Sequence, residues 1–291
     1  MKKLLILSGK GGTGKTTTTA AFIHFSKAKA FADCDVDAPN LHLIANQQTT
    51  PQKTDFIGSK KAQLNQQKCI NCHKCIEHCR FDAIQIDKEK IYINPISCEG
   101  CGVCEYICPT HAIHLENDIS GEQYLYQSKQ IFSTAKLKMG RGNSGKLVTA
   151  VKKTLFKNAP SCELAIIDGS PGIGCPVIAS INGVDFLLIV AEASSSGLSD
   201  LSRLVKTAQT FQTPMAICIN KYTNNSTYTQ KIEEFCQDNT IPFVGKIPYD
   251  PKVSIALNQG KSIAEIECPA KNALFTIYQN VLQKIQQITI L

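Results

Sequence analysis

The sequence predicts an α/β chain: a doubly wound, mostly parallel sheet interrupted by a smaller α+β module. Apolar runs alternate with helix-like stretches, the pattern of a parallel sheet covered on both faces. A glycine-rich turn follows the first apolar run and opens a helical stretch. Between the two ends of this pattern lie eight cysteines in two similar blocks.

Residues 1–58 begin strand, Gly-rich turn, helix, strand. Residues 59–119 hold the eight cysteines, and residues 120–291 return to alternating strands and helices. Strand-like runs are Leu164-Ala165-Ile166-Ile167, Phe186-Leu187-Leu188-Ile189-Val190 and Met215-Ala216-Ile217-Cys218-Ile219, with helices expected near 198–211 and 227–238. The first zone has a phosphate loop and two strands; the last has strands and no such loop. Together they make one domain, with the Cys-rich zone inserted in a surface loop.

At 291 residues, 43% hydrophobic and 19% charged, the chain can bury a substantial core. The net charge of +7 is spread out, with no dense Lys/Arg run and no basic stripe interleaved with aromatics. Nucleic-acid binding is therefore not expected, whereas an acidic protein partner would suit the excess. Met1-Lys2-Lys3 and Leu4-Leu5-Ile6-Leu7 start like a signal peptide, but the run stops at Ser8-Gly9-Lys10 and reads as a buried first strand. No stretch approaches a membrane span. A cytoplasmic setting follows, in which the fourteen cysteines start as thiols and their clusters point to metal.

Gly9-Lys10-Gly11-Gly12-Thr13-Gly14-Lys15-Thr16 fits G-x-x-x-x-G-K-[ST] between a strand and a helix. Its glycines let backbone N–H groups curl around phosphate oxygens, and the helix presents its positive end to the anion. Lys15 would meet the β- and γ-phosphates and Thr16 would ligate Mg²⁺, with Thr17 completing the nucleotide-binding set. Leu164-Ala165-Ile166-Ile167-Asp168 is an apolar strand ending in a carboxylate placed to hold Mg²⁺ through water. Gly169-Ser170-Pro171-Gly172-Ile173-Gly174 follows and resembles a second switch segment, a likeness that implies movement when the γ-phosphate leaves.

The cysteine blocks are Cys69-x2-Cys72-x2-Cys75-x3-Cys79 and Cys98-x2-Cys101-x2-Cys104-x3-Cys108-Pro109. Phe81-Asp82-Ala83-Ile84 and Thr110-His111-Ala112-Ile113 follow them as similar units, which marks an internal duplication. Zinc is the competing metal, since CxxC pairs also hold it, but the doubled pattern favours iron–sulfur clusters. Arg80 stands where proline is usual after the fourth cysteine and removes no ligand. His73 and His78 are expected to be exposed, because four thiolates already complete each cluster.

The spacing resembles that of bacterial two-cluster ferredoxins, in which the fourth cysteine of each run crosses to the other cluster. That resemblance assigns Cys69, Cys72, Cys75 and Cys108 to one [4Fe–4S] cluster and Cys79, Cys98, Cys101 and Cys104 to the other. Lys10, just after the first glycine, resembles the signature of the deviant Walker A ATPases, the group of MinD, ParA and the nitrogenase iron protein. In that group the lysine reaches a partner subunit's nucleotide. Asp33-Cys34-Asp35-Val36-Asp37-Ala38-Pro39-Asn40-Leu41 resembles the family's first switch. By that match Asp33 joins the Mg²⁺ shell, Asp35 positions the attacking water, and Lys10, Lys15 and Asp35 form the catalytic set. Asn220-Lys221 resembles the adenine-contacting segment, and Gly245-Lys246-Ile247-Pro248-Tyr249-Asp250 the loop after the next strand.

The whole chain thus resembles MinD-superfamily P-loop ATPases with an inserted ferredoxin domain. The resemblance implies ATP, Mg²⁺, two [4Fe–4S] clusters and an ATP-dependent homodimer. The leading expectation is ATP hydrolysis coupled to electron transfer, with a protein electron donor or acceptor as partner. A cluster carrier or assembly factor acting on an apo iron–sulfur protein is the alternative, and a positioning ATPase with a redox-sensing module a third. Cys175, seven residues after Asp168, matches the spacing of one cluster-bridging cysteine of the nitrogenase iron protein, but the expectation is a small buried residue. Cys34, Cys162, Cys218, Cys236 and Cys268 are expected to be structural. Leu274, Ile277, Tyr278, Val281, Leu282, Ile285 and Ile288 form a helical stripe whose other face is poor in cations, so packing on the sheet is expected and membrane binding is not. Asn143-Ser144-Gly145-Lys146-Leu147-Val148 matches the family without an assigned role.

Overall fold

The computed structural model describes residues 1–45, 49–159, 162–223 and 227–289. The chain divides into two compact units: Met1–Lys53, Gln123–Lys136 and Ser144–Leu291 form the first, and Thr54–Glu122 with Leu137–Asn143 the second.

The chain begins β1 (Lys2–Leu7), α1 (Lys15–Ser26), β2 (Ala30–Asp33) and β3 (Gln52–Leu64). The Cys-rich segment follows with α2 (Lys74–Glu77), β4 (Ile84–Asp87), β5 (Lys90–Ile93) and α3 (Val103–Tyr106). Next come β6 (Ile113–Gln127), β7 (Ile131–Leu137), α4 (Ser144–Asn158), β8 (Leu164–Asp168) and α5 (Cys175–Ile181). The chain continues through β9 (Phe186–Glu192), α6 (Ser195–Gln209), β10 (Met215–Tyr222) and α7 (Thr227–Asp238). It finishes with β11 (Phe243–Pro248), α8 (Pro251–Asn258) and α9 (Pro269–Thr289).

In the first unit the strands run β11-β10-β9-β1-β8-β2-β7, all parallel. Leu4 to Leu7 and Leu187 to Val190 have no exposed surface, because helices cover both faces and make such strands continuously apolar. α1 and α9 share one core cluster on one face; Leu274, Ile277, Tyr278, Val281 and Ile285 of α9 are buried in it, with Leu282 and Ile288 packed against its edge. Phe22 and Tyr278 meet edge to face at 5.2 Å. Each such side chain contributes about 2 kcal/mol, which fixes α9 as a core helix. Phe31, Phe132 and Tyr126 stack in series, at 4.8 and 5.3 Å.

Strands β3 to β7 and β11 are not among the apolar runs of the sequence. β6 and β7 mix polar residues into their runs, and β11 is interrupted by Gly245 and Lys246, so none shows a continuous apolar stretch. Gly245 to Pro248 therefore lie in a strand and not in a loop. α6 starts at Ser195, earlier than expected, because the Ser194 hydroxyl accepts the N–H of Gly197 and caps the helix.

The second unit is small. β4 and β5 form an antiparallel hairpin with Ile84 opposite Ile93 and Ile86 opposite Ile91. Its core contains Ala62, Cys75, Ala83, Ile84, Ile91, Cys98 and Ile113, a short set that leaves the fold in need of staples. The duplication is visible in the backbone. Asn71, His73 and Asp82 hold positive φ angles of 53°, 63° and 48°, and their counterparts Gly100, Gly102 and His111 hold 67°, 83° and 49°. Gly100 is required as well by space, since a Cβ there would lie 2.0 Å from the Lys60 carbonyl oxygen.

Candidate functional site

The loop between β1 and α1 opens a cleft of about 310 Å³ in the first unit, lined by Gly11, Gly12, Gly14, Lys15, Thr16, Thr17, Asp35, Asn220 and Lys221. The turn depends on Gly14, at φ 93°, where a Cβ would strike the Asn220 amide. That amide donates to the Thr13 carbonyl at 2.7 Å, and Lys221 Nζ donates to the Gly12 carbonyl at 2.7 Å. Asn220 and Lys221 thus brace the loop from the end of β10. Gly9 stands outside the cleft, packed so closely on Asp200 that a Cβ would come within 2.6 Å.

Asp168, at the end of β8, organises the floor. Thr16 and Thr19 each donate a hydroxyl to it at 2.7 Å, and Lys15 Nζ lies 2.9 Å from Oδ2. Asp35 Oδ2 is 3.8 Å from the same ammonium. Burial opposes the charge on Lys15, but Asp168, Asp33 and Asp35 outweigh it and hold the lysine protonated above its ordinary range. Asp33 is fully buried and accepts the N–H groups of Asp35, Asn40 and Leu41, each at 3.0 Å. Burial pushes its carboxyl up to about 7, against the pull of Lys15 and those N–H groups. Burial likewise raises Asp35 to about 6, with Lys15 opposing. Asp33 therefore shapes the backbone of residues 35–41 directly and interacts with the Lys15–Asp168 pair.

Lys10 does not point into the cleft. Its ammonium lies 3.0 Å from Glu192 Oε2 and 2.9 Å from Ser196 Oγ, with Ser194 Oγ at 3.5 Å. Glu192 also lies 3.8 Å from Lys221. Glu192, Ser194 and Ser196 were not marked by any sequence motif; the signal that could have found them is a lone carboxylate closing an apolar strand, as in β8. Thr19 was missed too, although it stands one turn after Thr16. Tyr249, Asp250, Val253, Ser254 and Leu257 line the cleft as well. Asp250 accepts the Lys252 N–H and starts α8 there.

After β8, Gly169 packs against Leu7 where a Cβ would come within 2.2 Å, and Gly172 at φ 94° donates to the Ser8 carbonyl at 2.9 Å. Cys175 opens α5 and is exposed, contrary to the expected buried position. Its backbone lies close to Gly145 of α4, where an added Cβ would come within 3.0 Å of the Cys175 carbonyl oxygen, yet the residue itself stays exposed. Cys34, Cys218, Cys236 and Cys268 are buried, and Cys162 is half-buried. α5 is held at its other end by Lys152, whose Nζ donates to the carbonyls of Ala179, Ser180 and Asn182 at 3.0, 2.6 and 2.6 Å.

In the second unit, Cys69, Cys72, Cys75 and Cys108 line one small cavity. Cys79, Cys98, Cys101 and Cys104 line another. The fourth cysteine of each sequence block thus stands with the first three of the other. The sulfurs surround a space; among the described residues no three His, Cys, Asp or Glu side chains converge on a single ion site. Ala112 donates its N–H to Cys108 Sγ at 3.2 Å, and Ala62 to Cys98 Sγ at 3.5 Å. Four thiols round each cavity with N–H groups aimed at sulfur are the donor set that a [4Fe–4S] cluster takes. His73 and His78 are exposed.

A parallel sheet with a glycine-rich loop at a strand end, a loop lysine and a facing strand-end carboxylate defines a P-loop nucleotide-binding protein. The chain belongs to the CobQ/CobB/MinD/ParA nucleotide binding domain family, whose model matches residues 4–263. It is 38% identical over 252 residues to the uncharacterized protein MJ0578 of Methanocaldococcus jannaschii, covering 84% of this chain and 86% of that one. Its fold is similar to that of the septum site-determining protein MinD complexed with Mg-ADP from Pyrococcus horikoshii, with a TM-score of 0.58 and 16% identity, covering 99% and 98% of the two chains. A stretch making up 20% of the chain is 39% identical to a ferredoxin of Saccharopolyspora erythraea and covers 54% of it. The protein therefore joins a MinD/ParA-type nucleotide-binding domain to a ferredoxin-like segment. Among the described residues no helix is long and apolar enough to cross a membrane.

Proposed function

We propose that the protein binds and hydrolyses MgATP as a nucleotide-dependent homodimer and couples nucleotide state to electron transfer through two [4Fe–4S] clusters. The observation that carries this reading is the pair of four-cysteine cavities, each drawn from both sequence blocks, in a chain whose other unit carries a complete phosphate-loop cleft. Thr13 Oγ1, buried in the loop, has no hydrogen-bond partner among the described residues, which suits a loop completed by a bound nucleotide.

Lys15 and the loop N–H groups would hold the phosphates, Thr16 and Asp168 the Mg²⁺, and Asn220 and Lys221 the base end of the cleft. Asp33 keeps the first switch in register, and Asp35 would orient the attacking water, since phosphoryl transfer needs positioning more than covalent chemistry. Lys10 would leave Glu192 and reach the partner subunit's nucleotide. Clusters held at the two cavities would supply one-electron transfer to or from a protein partner in a reducing compartment.

The test is anaerobic purification with iron and sulfide quantified, followed by EPR with and without MgATP. A change in the cluster spectrum on adding MgATP is expected. No change, with ATP turnover indifferent to cluster reduction, would reject the coupling. Release of the clusters to an apo-protein in the presence of chelator would favour a cluster carrier instead.

A further inference from the structure

Lys61, in β3, is only 4% exposed, and its ammonium donates to the carbonyl oxygen of Cys98. The next residue, Ala62, donates its N–H to the sulfur of Cys98 and lines the cavity of Cys79, Cys98, Cys101 and Cys104. A buried cation therefore sits on the backbone of one of the two four-cysteine sites.

The duplication shows that the other site lacks its equivalent. Asn65 N–H donates to the Ala112 carbonyl at 2.8 Å, and Asn94 N–H donates to the Ala83 carbonyl at 2.7 Å, which superposes the end of β3 on β5. In that register Ala62 corresponds to Ile91, which lines the cavity of Cys69, Cys72, Cys75 and Cys108 just as Ala62 lines its own. Lys61 then corresponds to Lys90, and Lys90 is exposed. One repeat buries its lysine against a cysteine; the other turns it to water.

A buried charge is screened far less than a solvated one and stabilises an added electron nearby. The rim charges of the cavities, Glu99 at one and Lys74 at the other, are exposed and damped by solvent. The competing influences are neutral dipoles at Cys108, the Ala112 N–H at 3.2 Å and the Thr110 hydroxyl at 3.8 Å, against a full positive charge.

We propose that Lys61 makes the two clusters electrostatically unequal, so that the one held by Cys79, Cys98, Cys101 and Cys104 accepts the first electron. This rests on the two-cluster reading above. One electron enters from a low-potential one-electron donor, and no bond is made or broken. Lys61 is a positioning residue: it touches the backbone of a ligand and acts through it.

The experiment is an EPR-monitored potentiometric titration of the full chain, prepared anaerobically and reduced with dithionite, with iron and sulfide measured first. The unsubstituted protein should show two one-electron waves. K61Q should move the upper wave to more negative potential and leave the lower one in place, while K61R and the exposed-site control K90Q leave both unmoved. K61M, which keeps the apolar stem, gives the same readout should K61Q load clusters poorly. A K61Q titration with both waves unchanged, both shifted equally, or only the lower one shifted would overturn the proposal. So would coincident waves in the unsubstituted protein. A preparation without iron and sulfide would instead overturn the cluster reading beneath it, before any potential is measured.

Discussion

Lys10 is paired with Glu192, Nζ to Oε2 at 3.0 Å, and so its charge is held by a carboxylate outside the set of residues that line the cleft with Lys15. Two lysines five residues apart in one loop thus face different tasks. Lys10→Ala should leave binding of a fluorescent ATP analogue within about threefold while hydrolysis falls at least ~100-fold. Parallel loss of binding and turnover would place Lys10 in its own cleft. Glu192→Gln should loosen the hold, and sedimentation should then show the MgATP dimer at lower protein concentration than in the parent chain.

Asp35 stands near Lys15 without a hydrogen bond to it, at 3.8 Å. It lines the cleft, where it would orient the attacking water. Asp35→Asn should lower kcat about 100-fold with nucleotide affinity nearly unchanged, as expected for a group used mainly in the transition state. A matching rise in KM with kcat intact would assign Asp35 to binding instead.

Asp168 is the sole carboxylate accepting both Thr16 and Thr19 hydroxyls among the described residues, and it faces the buried Lys15. Removing it leaves a buried cation with a weaker partner. Asp168→Ala should destabilise the first unit by about 3 kcal/mol in urea and abolish Mg²⁺-dependent turnover. Unchanged stability would mean that Asp35 and Asp33 alone satisfy Lys15.

The four-cysteine cavities predict roughly eight iron and eight sulfide per chain after anaerobic preparation. Cys79→Ser and Cys108→Ser should each weaken one site and bring the iron content down by up to about half. Stripping iron with a chelator should unfold the second unit, whose core is small, while the first still binds nucleotide. Stoichiometric zinc in place of iron would defeat the cluster reading.

Lys152 gives a pH dependence of defined sign. Burial pulls its pKa down from the ordinary lysine range to about 8, with Lys3 adding to the decrease and Cys34 opposing it. The folded state then gives up this proton before the unfolded state does. Stability from this group is constant below about pH 8 and rises with pH between there and the normal lysine range. Compared with Lys152→Met, the parent chain should gain stability between pH 8 and 10, measured by urea denaturation. At pH 7 the variant should be weaker by about 2 kcal/mol, because three carbonyls at the end of α5 lose their donor. A pH-independent difference would discard the titration.

The phosphate loop, the strand-end Asp168 and the two cysteine blocks are legible in one dimension because their chemistry is local. A loop wrapping phosphate needs its glycines at fixed spacing, and thiolates on one turn of backbone need CxxC. Continuous apolar runs likewise announce β1, β8, β9 and β10, since both faces of those strands are covered. The polar strands β6 and β7 gave no such run.

What tertiary structure alone decided concerns groups far apart in the chain. That Lys10 meets Glu192 and Ser196, that Cys175 lies at the surface, and that Lys61 is buried on Cys98 while its repeat counterpart Lys90 is exposed, all depend on which strands become neighbours. Residue type and spacing determine what a side chain can do. Burial and the company of distant charges determine whether it does so, and those arise only when the sheet and the repeat have closed.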